Sequence, residues 1–165
     1  MNKLIISCAQ KWLRLSPDLI HSKLYDETTF YSQFLKDLKG CKKEIIIESP
    51  YITTTRMFSF IRSFENLIGK KVKIYVITRN PDDHDLTMKV QAEQEIKKLE
   101  TIGVQVILSA EYSHRKLAIL DRKILYEGSL NILSQTCSRE IMRRIDSEAQ
   151  ARECFQFINL GKYIY

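Results

Sequence analysis

Apolar residues fall at helical spacing over 27–39, where Phe30, Phe34, Leu35 and Leu38 recur, Asp26 or Thr28 is placed to cap, and Gly40 to stop. Three consecutive isoleucines, at 45, 46 and 47, then stand between Glu44 and Glu48. That run is too short and too β-branched for a helix and predicts a strand buried on both faces, ended by Pro50. Residues 55–68 predict a second helix, with Met57, Phe58, Ile61, Phe64, Leu67 and Ile68 on its apolar side and Gly69 after it. Residues 71–78 alternate Val72, Ile74 and Val76 with Lys71, Lys73 and Tyr75, the period of a strand. Helical spacing returns over 85–101, with Val90, Ile96 and Leu99 inward and Gly103 as stop, and 104–108 predict another strand. Residues 114–120 and 123–126 read as two more strands. Only Asp121 and Arg122 separate them, a link that fits an antiparallel hairpin. Residues 139–158 read as a closing helix.

Strand and helix in alternation imply parallel strands with helices on the sheet faces, and the hairpin adds an antiparallel pair. The expected class is α/β, with a mixed, mostly parallel β-sheet flanked by helices. A length of 165 residues with no linker, repeat or low-complexity run predicts one domain over 1–165, with 1–25 either a helix on the core or an extension. No apolar run is long enough to cross a bilayer, so no stable membrane insertion is expected. The apolar patch near the N-terminus is too brief for a signal peptide, so the expected compartment is the cytoplasm. Cys8, Cys41, Cys137 and Cys154 show neither C-x-x-C pairing nor a histidine at ligand spacing, which predicts free thiols, no metal and no other cofactor.

The chemistry concentrates between residues 114 and 131. His114 and Lys116, then Asp121, precede Gly128-Ser129-Leu130-Asn131. A histidine is a nitrogen nucleophile and an acid/base near neutrality. A lysine places a point charge against phosphate oxygens, and serine and asparagine supply neutral donors. His21 and Lys23 repeat the start of the pattern without its remainder, since Thr28 and Leu35-Lys36 stand where Asp and Gly-Ser are required. Strand alternation puts His114 and Lys116 on one face, and Ser129 and Asn131 share a face by the same rule, so four polar side chains can converge on one phosphate-sized spot. The net charge of +6 gathers near this motif, in Arg115, Lys116, Arg122, Lys123, Arg139, Arg143 and Arg144. That favours a polyanion, which nucleic acid and acidic lipid head groups satisfy equally.

His114, Lys116, Asp121, Ser129 and Asn131 resemble the HKD signature of the phospholipase D superfamily. The likeness runs over roughly residues 26–146, through Glu44 to Tyr51, Val76 to Arg79 and Glu140 to Arg144. Its apolar strand context is similar to that of phospholipase D-like domains associated with bacterial DNA helicases, which brings in a helicase partner as an expectation. The resemblance implies a metal-independent phosphodiesterase working through a phosphohistidine. His114 would be nucleophile and acid, while Lys116, Ser129 and Asn131 would stabilise the non-bridging oxygens. Glu140 resembles the acidic residue that orients the nucleophilic histidine in the family; the alternative is a carboxylate at the N-terminus of the closing helix, serving its dipole. Asp121, at its strand's end, can bond turn amides or a lysine, and is expected to support the site rather than move protons.

Displacement at phosphorus is in-line, so the group that protonates the leaving oxygen must sit across the phosphate from the nucleophile. One histidine cannot do both in one step. The superfamily uses two motif copies, so a single copy implies a symmetric homodimer with the site across its twofold axis. Nucleic acid, DNA more than RNA, is the expected substrate, with Arg143 and Arg144 along its backbone and Tyr51, past a strand's C-terminal end, stacking on a base. The alternatives are a phospholipid phosphodiesterase or phosphatidyl transferase, and a non-catalytic DNA-binding module.

Overall fold

The computed structural model describes residues 21–109, 112–134, 137–162 and 164. The N-terminal helix or extension read at 1–25 lies outside the described residues up to 20. Among the described residues seven strands form one sheet: β1 (Ser22–Asp26), β2 (Glu44–Glu48), β3 (Lys73–Arg79), β4 (Gln105–Ser109), β5 (Leu117–Leu120), β6 (Ile124–Gly128) and β7 (Ile141–Asp146), in the order β1-β7-β6-β5-β2-β3-β4. Four α-helices accompany them among those residues: α1 (Phe30–Gly40), α2 (Thr54–Gly69), α3 (Leu86–Thr101) and α4 (Glu148–Phe157).

The isoleucine run explains the layering. Ile45 and Ile47 point into a core built with Phe30, Phe34, Phe60, Phe64 and Tyr126, together with Leu99 of α3, whereas Ile46 points to the opposite layer with Ile77, Ile119, Leu125 and Ala151 of α4. A strand covered on both faces has no use for alternation, which is why β2 reads as an unbroken apolar run. Tyr75, grouped with the polar side of its strand by the sequence pattern, is buried for the same reason.

The mixed α/β class stands as expected, but the balance of strand orientations differs. β2, β3 and β4 are parallel to one another, while β2–β5, β5–β6, β6–β7 and β1–β7 are all antiparallel. Two elements cause this. Residues 141–146, expected within the closing helix, are strand β7, paired on both sides, and only 148–157 are helical, starting at a Ser147 cap whose side chain accepts from the Gln150 N–H. Pairing on both edges overrides the local preference of a sequence whose two adjacent arginines hide its alternation. β1 is the second, an edge strand with Tyr25 as its one buried residue. Smaller differences follow from phase. Phe58 and Val90, expected inward, are exposed, because α2 turns Met57, Phe60, Phe64 and Leu67 to the core instead and α3 turns Ala92, Glu95 and Leu99.

The β5–β6 hairpin is a two-residue turn with Asp121 at φ 51 and Arg122 at φ 55, closed by the Lys123 N–H on the Leu120 carbonyl at 2.9 Å. Positive φ at both central positions matches the twist of the strands, at a cost of about 1 kcal/mol or more for each non-glycine residue. Side-chain bonds offset it. The Asp121 carboxylate accepts the N–H groups of Lys42, Lys43 and Glu44 at 2.8–3.0 Å. Arg122 pairs with Glu44 and lies 3.4 Å over the Phe155 ring.

Candidate active site

Strand directions decide what meets. β2 and β3 run parallel and finish at one end of the sheet; β5 and β7, antiparallel to β2 and β6, begin there; β6 finishes there. That end therefore gathers the segments after Glu48, after Arg79, before Leu117, after Gly128 and before Ile141, which carry Tyr51, His84, His114, Lys116, Ser129, Asn131 and Glu140.

His114 and Lys116 lie in the extended segment just ahead of β5 rather than within the expected longer strand. They meet all the same: the Lys116 ammonium stands 2.6 Å from His114 Nδ1 and 2.6 Å from the His114 carbonyl oxygen. Partial burial holds the His114 pKa below its ordinary value, reinforced by the charges of Lys116 and Arg79. The imidazole is thereby biased toward its neutral form at neutral pH. Burial also lowers the Lys116 pKa, opposed by the Glu140 carboxylate. The Tyr51 ring meets the His114 ring edge-on, centroids 6.2 Å apart.

The residues flanking His114 are both clipped to one buried carboxylate. Glu48, 1% exposed at the end of β2, accepts the Ser113 hydroxyl and the Arg115 Nε–H, the latter at 3.0 and 3.1 Å to its two oxygens. A segment with no ladder of its own is thus anchored on each side of its histidine.

The Gly128–Asn131 arm is held just as closely. A Cβ on Gly128 would stand 2.3 Å from the Ile141 carbonyl oxygen and 2.9 Å from the Met142 Cα, so only glycine lets β7 approach there. Ser129 is tied to β7: its N–H donates to the Ile141 carbonyl at 3.0 Å and its hydroxyl accepts the Ile141 N–H at 3.1 Å. The loop beyond is pinned to the end of β2, where the Leu133 N–H donates to Ser49 Oγ and the Thr53 N–H to the Leu133 carbonyl. Asn131 Oδ1 is buried without a hydrogen-bond partner among the described residues. Glu140 lies in the stretch leading into β7, where no helix begins, which removes the dipole reading. Its N–H donates to Glu27, Ser138 donates to its carboxylate, and its charge reaches Lys116.

Three expected residues sit elsewhere. Asp121 is at the far end of β5, bonded to backbone amides. Arg143 and Arg144 lie on a strand rather than an exposed helix face. Arg144 is turned to Asp37, at 2.6 Å, and to Asp146, while Arg143 Nη1 donates to Ser22 Oγ at 3.2 Å.

Sequence reasoning missed four residues around the His114 segment: Glu48, Arg79, His84 and Tyr112. Arg79, 4% exposed, donates from Nη1 to the Tyr51 hydroxyl at 3.0 Å, and its guanidinium lies 3.7 Å from the Tyr112 ring centroid. His84 packs on Tyr51, centroids 5.1 Å apart; burial, then the Arg79 charge, lowers its pKa. The signal for two of them was present: a carboxylate ends the run of three isoleucines, and an arginine ends the β-branched run Val76-Ile77-Thr78.

Among the described residues no group of three or more His, Cys, Asp or Glu is arranged to hold a metal ion, no helix is long and apolar enough to cross a membrane, and Cys41, Cys137 and Cys154 are unbridged.

Solved structures share the fold. Nuc, a phospholipase D family member from Salmonella typhimurium, superposes with a TM-score of 0.69 at 12% identity, over 82% of this chain and 90% of that one. NucT from Helicobacter pylori gives 0.63 at 17% identity, over 82% and 91%. The phosphatidylserine synthase of Haemophilus influenzae Rd KW20 gives 0.66 at 15% identity; the match covers 87% of this chain but only 38% of the synthase. No curated protein matches. A family model described as "Cardiolipin synthase, PLD-like domain" matches residues 34–159, which include every strand but β1. With that match over most of its length, on a sheet that gathers His114 and Lys116 at one end, the chain belongs to this family of the phospholipase D superfamily, whose chemistry is carried out on phosphodiesters.

Proposed function

We propose that the protein is a metal-independent nuclease that hydrolyses nucleic-acid phosphodiester bonds through a phosphohistidine, with two copies of the chain completing one active site. The observation that carries this reading is the contact between Lys116 and His114 Nδ1. While the ammonium donates to Nδ1, the neutral ring keeps its proton on Nε2 and is a poor nucleophile there. An arriving phosphate competes for the ammonium. Lys116 then moves onto a non-bridging oxygen, and Nδ1 is free to take the ring proton and donate it to a carboxylate, for which Glu140 is the candidate.

His114 Nε2 then attacks phosphorus and the P–O ester bond breaks. The leaving oxygen takes a proton from the partner subunit's His114, which enters the step as the imidazolium, its charge favoured by the bound phosphate. That second imidazole, now neutral, removes a proton from water as the water attacks phosphorus, and the P–N bond breaks to release His114. Lys116 of each copy and the Ser129 and Asn131 side chains stabilise the developing charge. Two lysines supply the positive charge that a divalent ion provides in other phosphoryl transfers. Tyr51 is the remaining candidate for substrate contact, and Arg143 serves the fold through Ser22. Arg144 serves the fold through Asp37, and Asp121 serves it through the amides of residues 42–44.

The test is incubation with labelled single-stranded DNA, duplex DNA and RNA in excess EDTA, beside His114→Ala. Cleavage by wild type alone supports the proposal; cleavage that stops with EDTA, or that survives in His114→Ala, contradicts it. A sedimentation result of monomer at micromolar concentration would remove the partner histidine from the mechanism. The family description favours one second reading, a phospholipid phosphodiester. It predicts liposome binding and head-group release where nucleic acids are left intact.

A further inference from the structure

Tyr112 is 74% exposed, two residues before His114, and yet its ring is not left to the solvent on both sides. One face lies on the Arg79 guanidinium, 3.7 Å from the centroid. Arg79 is fixed beneath it: 4% exposed, bonded through Nη1 to the Tyr51 hydroxyl, and with a buried Nε that has no hydrogen-bond partner among the described residues. Tyr51 in turn packs against both His84 and His114. A buried cation with a donor left unpaired is costly and calls for a reason at that place. The cost is offset by two rings, Tyr112 and Tyr51, on the one guanidinium.

We propose that Tyr112, backed by Arg79, is a stacking platform for an unpaired base next to the scissile phosphate. This deepens the nuclease reading and rests on it. The platform's free face is flat, aromatic and open, and it stands about 7 Å along the chain from His114, at ~3.4 Å per extended residue. Such a face matches a nucleobase, because every base presents a π-surface whatever its sequence. An acyl chain would need an apolar wall on several sides, which one ring lying on an arginine does not provide. A base inside a duplex already has both faces covered, so the platform selects single strands.

The experiment compares wild type, Tyr112→Ala and Tyr112→Phe on oligothymidylate and on an abasic deoxyribose-phosphate oligomer of equal length. Loss of one stacked base predicts that Tyr112→Ala lowers kcat/KM on oligothymidylate about ten- to a hundredfold. The abasic oligomer should be cleaved equally by Tyr112→Ala and wild type, and Tyr112→Phe should retain the preference for bases. Wild-type efficiency of Tyr112→Ala on oligothymidylate, or an equal loss on both oligomers, overturns the platform. If wild type cleaves neither, the nuclease reading fails by itself, and binding of the two oligomers to His114→Ala decides the platform. Tighter binding of oligothymidylate, lost with Tyr112→Ala in that background, supports it; equal binding, or none, overturns it.

Discussion

The two ends of β5 carry the two halves of one sequence motif, and they are built to opposite standards. At the Asp121 end charges and amides are paired: three N–H groups on Asp121, Arg122 on Glu44 and over Phe155, and Lys123 near Glu148. At the Lys116 end lie Asn131 Oδ1, Arg79 Nε and Thr53 Oγ1, buried side-chain atoms without a partner among the described residues, and two histidines with lowered pKa. Leaving a buried polar group unmade costs about 1–3 kcal/mol, so the second end gives up stability that the first end recovers. A groove of about 730 Å³ opens at the Asp121 end, lined by Lys43, Arg122, Arg152 and Phe155. Size favours that end as a binding site. Chemistry favours the other, because the Arg122 and Arg152 charges in the groove are already answered by Glu44 and Glu148.

Substitutions at each end should separate along these lines. The largest effect is expected from His114→Ala, a loss of turnover of about 10³-fold or more, with the thermal midpoint little changed, since the residue is exposed. Glu48→Gln should follow. It removes the charge that clips Ser113 and Arg115, and a displaced nucleophile loses about ten- to a hundredfold in kcat, with KM little changed. Asp121→Ala should do the reverse. Leaving the amides of residues 42–44 without their acceptor costs about 1–3 kcal/mol, a fall of roughly 2–10 °C in the melting midpoint, while kcat of the folded protein stays near wild type. Asn131→Leu should keep stability within about 1 kcal/mol, because it removes an unpartnered atom, and still depress turnover. A melting curve and a rate for each variant check all four.

The smallest effect concerns pH. His114 has a lowered pKa, so it is neutral down to a pH below 6.5, and the acid limb of kcat/KM set by its nucleophilic form should lie there. Sign follows cause. Removing the Lys116 charge with Lys116→Met lets the His114 pKa rise, so its titration by NMR should move to higher pH. Because the folded state holds this histidine neutral, protonation opposes folding, and the linked contribution to stability is lost as pH falls from 6.5 toward the folded value. A His114 titration at or above 6.5 in wild type would contradict the arrangement at the Lys116 end.

What the sequence disclosed and what it hid divide by distance along the chain. β2 was legible because three adjacent isoleucines admit only a doubly covered strand, and α2 and α3 because their apolar periods extend over four turns. His114 and Lys116 were legible as a pair because two-residue spacing is local. β7 was hidden: Arg143 and Arg144 face opposite sides of the sheet, and the half-buried Asp37 that accepts Arg144 is 107 residues away. Glu48 was hidden for the same reason, since Ser113, whose hydroxyl it accepts, lies 65 residues on. Arg79, Tyr51 and Tyr112 come from three separate segments, which only the ordering of β2, β3 and β5 brings together. Asp121 was legible as an acceptor for backbone amides, but its distance from His114 was not, since its partners are the amides of residues 42–44 at the far end of β5.

The central claim is that His114 itself takes the phosphoryl group. Rapid acid-free quenching of wild type during turnover of a labelled oligonucleotide, followed by peptide mass spectrometry, tests it most directly. A nucleotide adduct is expected on the His114 peptide, absent from His114→Ala and decaying as product forms. Product accumulating at full rate with no adduct on that peptide would contradict it.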